Sequence, residues 1–263
     1  MADKGEGNYA LVTGASMGLG KVFAEALAAR KHNVILVARG AERLSSVAKQ
    51  LSGDHGIKAE IIAADLSKPH AATQLADEIQ RRGISVDLLV NNAGFGLQGE
   101  FRKLALDDQL NMIALHNSAV VELSYLLLPS MIENRKGGII NVSSMAGMQA
   151  APYATLYSAT KSFLTTFSIA LEREVWRHGI KVVTLCPGKI RKERVEADPK
   201  KVPGGEQSPQ EVVADALKLL DAGGGLLIPG FVNKFANFAQ RFFPRRLVAK
   251  GIGKISKPKQ TST

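Results

Sequence analysis

The sequence predicts an α/β fold in which one domain is built on a doubly wound parallel sheet. Short runs of β-branched and aliphatic residues alternate with longer segments of helical periodicity, a pattern typical of parallel strands joined by crossover helices. A glycine-rich turn follows the first apolar run and opens the first helical segment. With 263 residues, 45% of them hydrophobic, the chain is long enough to bury one large core.

Each predicted strand is a short apolar run bounded by turn residues. The predicted strands are Tyr9–Thr13, Val34–Ala38, Ala59–Ala64, Leu88–Asn91, Gly138–Ser143, Lys181–Leu185 and Leu226–Ile228. The helices predicted between them are Gly18–Lys31, Ala41–Leu51, Pro69–Arg82, Leu106–Glu133, Ala154–Arg177 and Pro209–Asp221. A right-handed βαβ succession therefore accounts for residues 1–230 as a dinucleotide-binding and catalytic domain of the Rossmann type.

The turn after the first strand is predicted to bind a pyrophosphate, because unpaired N–H groups and the helix dipole meet there. Glycine permits positive φ and a close approach of the ligand to the backbone. The candidate residues are Gly14, Ala15, Ser16, Met17, Gly18, Leu19 and Gly20. A glycine-rich turn that binds nothing is the competing interpretation.

The second strand ends in Ala38 and Arg39, where an acid that binds the ribose hydroxyls of NAD would otherwise stand. A guanidinium pairs well with a 2′-phosphate, so the sequence favours NADP(H) over NAD(H). The alternative is a solvated surface arginine. Asp65 and Leu66 follow the third strand and are candidates to contact the adenine, although an aspartate here is also an ordinary helix cap.

Tyr157 and Lys161 are four residues apart, which places them on one face of a helix. A lysine cation favours the phenolate of a nearby tyrosine and so suits it to proton transfer. Ser144, at the end of the fifth strand, could polarise a substrate oxygen at the same point. The Tyr and Lys spacing alone occurs on many helices by chance, so the combination of motifs carries the prediction.

These motifs, with Asn91 to Gly94 after the fourth strand and Pro187-Gly188 after the sixth, resemble the short-chain dehydrogenase/reductase superfamily. The resemblance extends from Tyr9 to about Gly230. Within the superfamily the chain is similar to DltE-like bacterial oxidoreductases, in the sequence around Tyr157 and in the tail. The resemblance implies a hydride transfer between nicotinamide and a carbonyl or alcohol carbon.

The resemblance also implies residue roles. Ser144 would steady the carbonyl oxygen, Tyr157 would transfer the proton, Lys161 would bind the nicotinamide ribose and lower the tyrosine pKa, and Asn111 would hold a water linked to Lys161. Ser143 is the weaker catalytic candidate. The remaining cofactor contacts implied are Asn92, Ala93, Gly94, Tyr157, Lys161, Pro187, Gly188 and Ile190. The chain departs from the family at Lys192, where a threonine is usual.

Two segments depart from the regular alternation. Residues 189–208 are rich in charge, Pro and Gly and are predicted to form a substrate loop. Residues 231–263 form a basic amphipathic extension that holds eight basic residues, no acid, and most of the formal net charge of +10. Its phenylalanines, Phe231, Phe235, Phe238 and Phe242, recur at helical spacing. They could pack on the protein's own cleft or a second subunit, lie on an anionic membrane, or, least favoured, contact nucleic acid.

The sequence therefore predicts an NADP(H)-dependent oxidoreductase with a small carbonyl or alcohol substrate. The alternatives are a non-catalytic dinucleotide-binding regulator and a membrane-surface lipid or 3-oxoacyl reductase. No metal site, nucleic-acid partner or membrane-spanning run of apolar residues is predicted. The lone Cys186 indicates a reducing compartment, so we expect a cytoplasmic protein, with peripheral membrane contact through the tail as an option. We also expect a homodimer or tetramer.

Overall fold

The computed structural model describes residues 9–191 and 206–257, and within them one parallel sheet of seven strands forms the centre of the molecule. The strand order is β3-β2-β1-β4-β5-β6-β7. The strands are β1 Tyr9–Thr13, β2 Asn33–Ala38, β3 Ala59–Ala63, β4 Val86–Asn91, β5 Gly137–Val142, β6 Ile180–Leu185 and β7 Gly225–Leu227. The predicted α/β fold with a doubly wound parallel sheet is confirmed.

Helices cover both faces of this sheet. They are α1 Gly18–Ala29, α2 Ala41–His55, α3 Ala71–Arg81, α4 Leu106–Ile113, α5 Ala119–Glu133, α6 Thr155–Val175, α7 Pro209–Asp221, α8 Phe231–Ala239 and α9 Arg245–Ser256. Helices α1, α2 and α7 pack on one face, and α3, α5 and α6 pack on the other.

The alternation of side chains along each strand supplies both cores. In β1, Leu11 belongs to the cluster with α3 and α5, whereas Val12 belongs to the cluster with α1 and α2. Both side chains are fully buried, as are nearly all residues of the central strands. Strands buried on both faces read as continuous apolar runs, which is why they were visible in the sequence.

The strand order changes direction at β1, which pairs with β2 on one side and with β4 on the other. In open parallel sheets a crevice forms at this point, beyond the carboxyl ends of the strands. Thr13 ends β1 and Asn91 ends β4, so the glycine-rich turn and the Asn91 to Gly94 segment lie side by side. The fold thus brings two of the sequence motifs to one edge of the sheet.

One predicted helix is divided in the structure. The sequence predicts continuous helix over Leu106–Glu133, but a π-helical turn at Ala114–Ser118 separates α4 from α5. The wide turn allows His116 and Asn117 both to face α6, where each makes a hydrogen bond to Thr160. These tertiary contacts outweigh the regular helical spacing, and π turns of this kind often mark functional sites.

By length and composition alone, the helical stretch Leu106–Glu133 could cross a membrane. In the structure Leu123, Leu127 and Met131 are buried against the sheet. Packing in the core therefore explains part of its apolar character, whereas Leu106, Leu110 and Tyr125 are exposed.

The C-terminal extension forms α8 and α9, which lie beyond β7. Most of the predicted substrate loop 189–208, including Lys192, lies outside the described residues. Near its two ends, Ile190 pairs with Gln207 in an isolated parallel bridge, so these two described residues lie side by side.

Candidate active site

Thr13 and Asn92 join the turns that follow β1 and β4. The Thr13 hydroxyl accepts hydrogen bonds from the N–H groups of Asn92 and Ala93, both at 3.0 Å, and donates to the Val90 carbonyl at 3.3 Å. The Asn92 side-chain amide donates to the Thr13 carbonyl at 2.9 Å. Asn92 and Ala93 therefore fix the position of the glycine turn. Thr13 is a supporting residue that was not among the sequence predictions.

The glycine turn has the shape that a pyrophosphate requires. A Cβ at Gly14 would lie 2.8 Å from the Asn92 amide nitrogen, and one at Gly20 would collide with the Gly14 carbonyl. Gly18 has a φ of +56° and open space around it, and no side chain caps the N-terminus of α1. The first N–H groups of α1 are thus free to bind an anion, which fits the predicted dinucleotide.

Arg39 and Asp65 lie at the carboxyl ends of the neighbouring strands β2 and β3. Arg39 is exposed, and none of the ion pairs among the described residues involves it. One Asp65 oxygen accepts bonds from the Ser67 N–H and hydroxyl. Partial burial raises the Asp65 pKa, but these bonds together with the Arg39 and Lys68 cations hold it below its usual value. Asp65 thus makes the local capping contacts that were the alternative interpretation of this residue. Its second carboxylate oxygen remains free for a ligand.

Ser144, Tyr157 and Lys161 are brought together where β5 ends against α6. Ser144 follows the strand, and its hydroxyl faces the Tyr157 phenol while accepting a bond from the Ala146 N–H at 3.1 Å. Lys161 lies one helical turn after Tyr157 on the same face. Ser143, the weaker candidate, is buried and bonded to the Lys161 carbonyl and to Thr165. Its hydroxyl supports α6 and does not face the crevice.

Lys161 is 5% exposed, and its ammonium donates to the Val142 carbonyl at 2.7 Å. Burial lowers the pKa of Lys161 to about 8. An ammonium has three N–H donors, and this bond uses one of them. Two donors remain for other acceptors, an arrangement that fits the hydroxyl pair of a nicotinamide ribose.

Burial also affects Tyr157. It raises the pKa of the phenol, and the contact with the Ser144 hydroxyl offsets part of this rise. The tyrosine is therefore protonated at neutral pH.

His116 is the residue of this site that the sequence analysis missed. It is 1% exposed, and its ring packs edge-on against Tyr157 with centroids 5.9 Å apart. Nε2 accepts the Phe95 N–H at 3.1 Å, so Nδ1 carries the proton and donates to the Thr160 hydroxyl at 3.0 Å. Burial and the nearby Lys161 cation lower the pKa of His116 to about 3. A neutral imidazole thus connects the turn after β4 to the catalytic helix.

The predicted role of Asn111, to hold a water linked to Lys161, stays a prediction. Asn111 lies on α4, five residues before His116, and among the described residues it makes no hydrogen bond to Tyr157 or Lys161. The π turn carries the chain around so that His116 faces the tyrosine. A lone histidine in an apolar helix gives no sequence signal for this position.

Gly94 and Gly188 are close to other elements. A Cβ at Gly94 would lie 2.8 Å from Nε2 of His116, and a Cβ at Gly188 would lie 2.5 Å from the side-chain amide of Asn233 on α8. The Pro187 carbonyl accepts the Met145 N–H at 2.9 Å, so this turn is tied to the segment after Ser144. The Pro187-Gly188 turn therefore lies between the catalytic serine and the C-terminal extension.

Gly147 allows the segment after Ser144 to pack against α6, because a Cβ there would lie 2.6 Å from the Lys161 carbonyl. We expect Gly147→Ala to lower the free energy of unfolding by about 1–3 kcal/mol, the usual cost of overpacking against backbone. Urea denaturation of the purified variant measures this loss. Gly53→Ala is the matched control, since Gly53 lies in α2 with open space around it and the change should be neutral or stabilising.

A cavity of about 910 Å³ lies between α6, the segment after Ser144 and the C-terminal extension. On α6 it is lined by Thr155, Ser158, Ala159 and Ser162, which lie on the side away from Tyr157. Neither Tyr157 nor Lys161 lines it. The cavity is separate from the catalytic group.

Comparison with known proteins gives a family for this chain. A family model described as short chain dehydrogenase matches residues 8–202. The Hydroxysteroid dehydrogenase-like protein 1 of Gallus gallus is 38% identical over 184 residues, covering 69% of this chain and 55% of that protein. The Very-long-chain 3-oxoacyl-CoA reductase of Anas platyrhynchos is 36% identical over 189 residues, covering 70% of this chain and 60% of that one. The chain thus matches little more than half the length of these two relatives.

A solved short-chain dehydrogenase from Sphingobium yanoikuyae, in complex with NADPH, superposes with a TM-score of 0.77 at 28% identity. The match covers 97% of this chain and 98% of that one. The extent of the family match, the order of the motifs and the shared sheet agree, and the chain belongs to the short-chain dehydrogenase family.

Proposed function

We propose that the protein reduces a carbonyl group to an alcohol with a hydride supplied by NADPH. The observation that carries this proposal is the meeting of Ser144, Tyr157 and Lys161 at the end of β5, beside the uncapped glycine turn. When bound, the dihydronicotinamide supplies the hydride to the carbonyl carbon. Ser144 then binds the carbonyl oxygen, and Tyr157 gives it the proton that completes the alcohol.

The protonation state of Tyr157 supports the reductive direction. Burial raises the phenol pKa, so the side chain stands ready as a proton donor at neutral pH. Lys161 stabilises the phenolate that remains, because its ammonium lies on the same helical face. In the reverse direction the phenolate is the base, which requires a higher pH or the positive charge of the oxidised nicotinamide.

Arg39 supports NADP(H) as the cofactor. Its guanidinium is exposed beside the crevice, follows Ala38 rather than an acid, and has no ion-pair partner among the described residues. A guanidinium in this position binds a 2′-phosphate through charge-assisted hydrogen bonds. The NADPH complex of the Sphingobium yanoikuyae relative agrees with this choice.

Replacing Arg39 tests the cofactor preference. We expect Arg39→Ala to lower kcat/KM for NADPH by about 10- to 100-fold, the loss of a hydrogen bond to a charged group, and to leave kcat/KM for NADH unchanged. Steady-state rates with each cofactor measure this. Lys49→Ala, at an exposed position on α2, is the control for loss of one surface charge. An equal loss with both cofactors would contradict the assignment of Arg39 to the 2′-phosphate.

The names of the relatives favour one substrate class for testing. Several are called Very-long-chain 3-oxoacyl-CoA reductase, including the human protein at 32% identity over 81% of this chain. We therefore propose a 3-oxoacyl thioester as the second, narrower candidate. NADPH oxidation measured with aldehydes, simple ketones, 3-oxoacyl thioesters and steroid ketones separates the two. No turnover with any class would contradict the general proposal and favour a dinucleotide-binding regulator.

We also propose that the chain forms a homo-oligomer. Apolar side chains on α4 and α5 are exposed, among them Leu106 and Tyr125, and Phe163 adds to them on α6. Exposed apolar groups on neighbouring helices are typical of a subunit interface.

A further inference from the structure

Helix α8 is attached to the body by its polar side. Asn237 is buried. The Gln240 side-chain amide, just beyond the helix, donates to the Asn237 side-chain oxygen at 2.9 Å and to the Met148 carbonyl at 3.4 Å. Asn233 donates to the Pro229 carbonyl at 2.9 Å and lies against Gly188. The side of α8 that faces the protein is thus made of amides.

The opposite side of α8 consists of aromatic rings that point away from the body. Phe231 is 82% exposed, Phe235 62%, Phe238 57% and Phe242 71%. Phe238 and Phe242 pack edge-on against each other and not on the catalytic cleft. Of the interpretations that the sequence left open for this stripe, packing on the protein's own cleft is therefore wrong.

Positive charge accompanies the exposed rings. Helical spacing puts Lys234 and Arg241 along one flank of the stripe. Helix α9 packs on the body through Val248, Ile252 and Gly253, the last of these against Pro152. The other side of α9 presents basic residues to solvent, namely Arg246, Lys250 and Lys254, and Lys257 follows the helix. Residues 231–257 contain no acidic side chain.

The combination of rings and cations restricts the partner. A symmetric contact of this surface with a second copy would place like charges opposite one another, since no acid is present to pair with them. An anionic bilayer offers an apolar layer for the rings and a negative surface for Lys and Arg. Such a bilayer therefore matches both the exposed rings and the basic side chains of this surface.

We propose that α8 and α9 form a membrane-surface anchor that binds bilayers containing anionic lipid. The phenylalanines of α8 enter the boundary between headgroups and acyl chains, and the lysines and arginines lie at the headgroups. The inference is independent of the proposed reaction, because it uses no residue of the catalytic group. It concerns the described part of the extension, residues 231–257.

Co-sedimentation of the full chain with vesicles tests the anchor. One set of vesicles contains phosphatidylcholine alone, and the other an equimolar mixture of phosphatidylcholine and phosphatidylglycerol. We expect binding to the anionic vesicles at least about tenfold stronger than to the neutral ones, decreasing as salt is raised. Equal or absent binding to both sets would overturn the proposal.

Two double variants assign the binding to the two parts of the surface. Phe231→Ser with Phe235→Ser, and separately Lys250→Glu with Lys254→Glu, should each weaken binding to anionic vesicles by about tenfold or more. The matched controls are Phe101→Ser with Trp176→Ser, both exposed outside α8 and α9, and Lys49→Glu with Lys218→Glu, exposed on α2 and α7. Circular dichroism verifies that each variant is folded.

The oligomeric state distinguishes the competing occupant. If the phenylalanine variant changed the mass measured by light scattering but bound vesicles as strongly as the unmodified chain, the stripe would be a subunit interface and the anchor would be excluded. Loss of vesicle binding at unchanged mass supports the anchor.

Discussion

Tyr157→Phe should reduce carbonyl turnover by about 10²- to 10⁴-fold, the contribution of a positioned proton donor. The substitution removes one hydroxyl and leaves the ring, which packs against His116, in place. The affinity for NADPH should change little, because the glycine turn, Arg39 and Lys161 are untouched. Single-turnover rates with NADPH, together with cofactor binding by fluorescence titration, measure the two effects separately.

Tyr125→Phe provides the matched control, since Tyr125 is exposed on α5 outside the catalytic group and the variant keeps its ring. That variant should keep full activity. Undiminished turnover in Tyr157→Phe would exclude Tyr157 as the proton donor. Loss of NADPH binding in the same variant would show that the Tyr157 hydroxyl acts in cofactor binding and not in proton transfer.

The second large effect is expected in acid. The pKa of His116 is about 3 in the folded protein, because burial and Lys161 disfavour its cation, whereas an unfolded chain takes up the proton near pH 6.5. The unfolded state therefore binds more protons between these values, and stability falls as the pH falls through that window. From pH 7 to pH 5 the loss due to His116 is about 2 kcal/mol.

His116→Gln isolates this contribution. A glutamine can accept the Phe95 N–H and donate to Thr160 as the imidazole does, but it does not titrate. Urea denaturation at pH 7 and pH 5 should show that the variant lacks about 2 kcal/mol of the pH-dependent loss. Identical pH dependence in both proteins would mean that folding does not lower the pKa of His116. The pH profile of kcat should be the same in both, because a neutral His116 positions Tyr157 and exchanges no proton.

The sheet was predictable from sequence because its strands are buried on both faces. β1 was predicted at its observed bounds, and the observed ends of most other strands and helices differ by one or two residues. The helix ends depend on caps and local turns, such as the left-handed Gly56 that ends α2 four residues beyond the predicted end at Leu51. The last residue of a helix is set by such local contacts, which the hydrophobic periodicity of the sequence does not report.

The catalytic group was predicted in part. Ser144, Tyr157 and Lys161 meet as expected, because each lies at a strand end or one turn along a helix. His116 was missed, since the π turn between α4 and α5 changes which side chains face α6. The side on which α8 displays its rings was equally hidden, because an amphipathic pattern defines two faces without saying which one the body takes.

The packing of His116 against Gly94 also restricts how this protein can vary. Any side chain larger than hydrogen at position 94 enters the space of the imidazole, with its Cβ 2.8 Å from Nε2. A smaller residue at 116 would free that space but would leave the Phe95 N–H without its acceptor. The two positions are therefore coupled, and the energetic effects of changing them do not add. Sequences that replace the histidine with a residue unable to accept the Phe95 N–H are expected to compensate at the turn after β4.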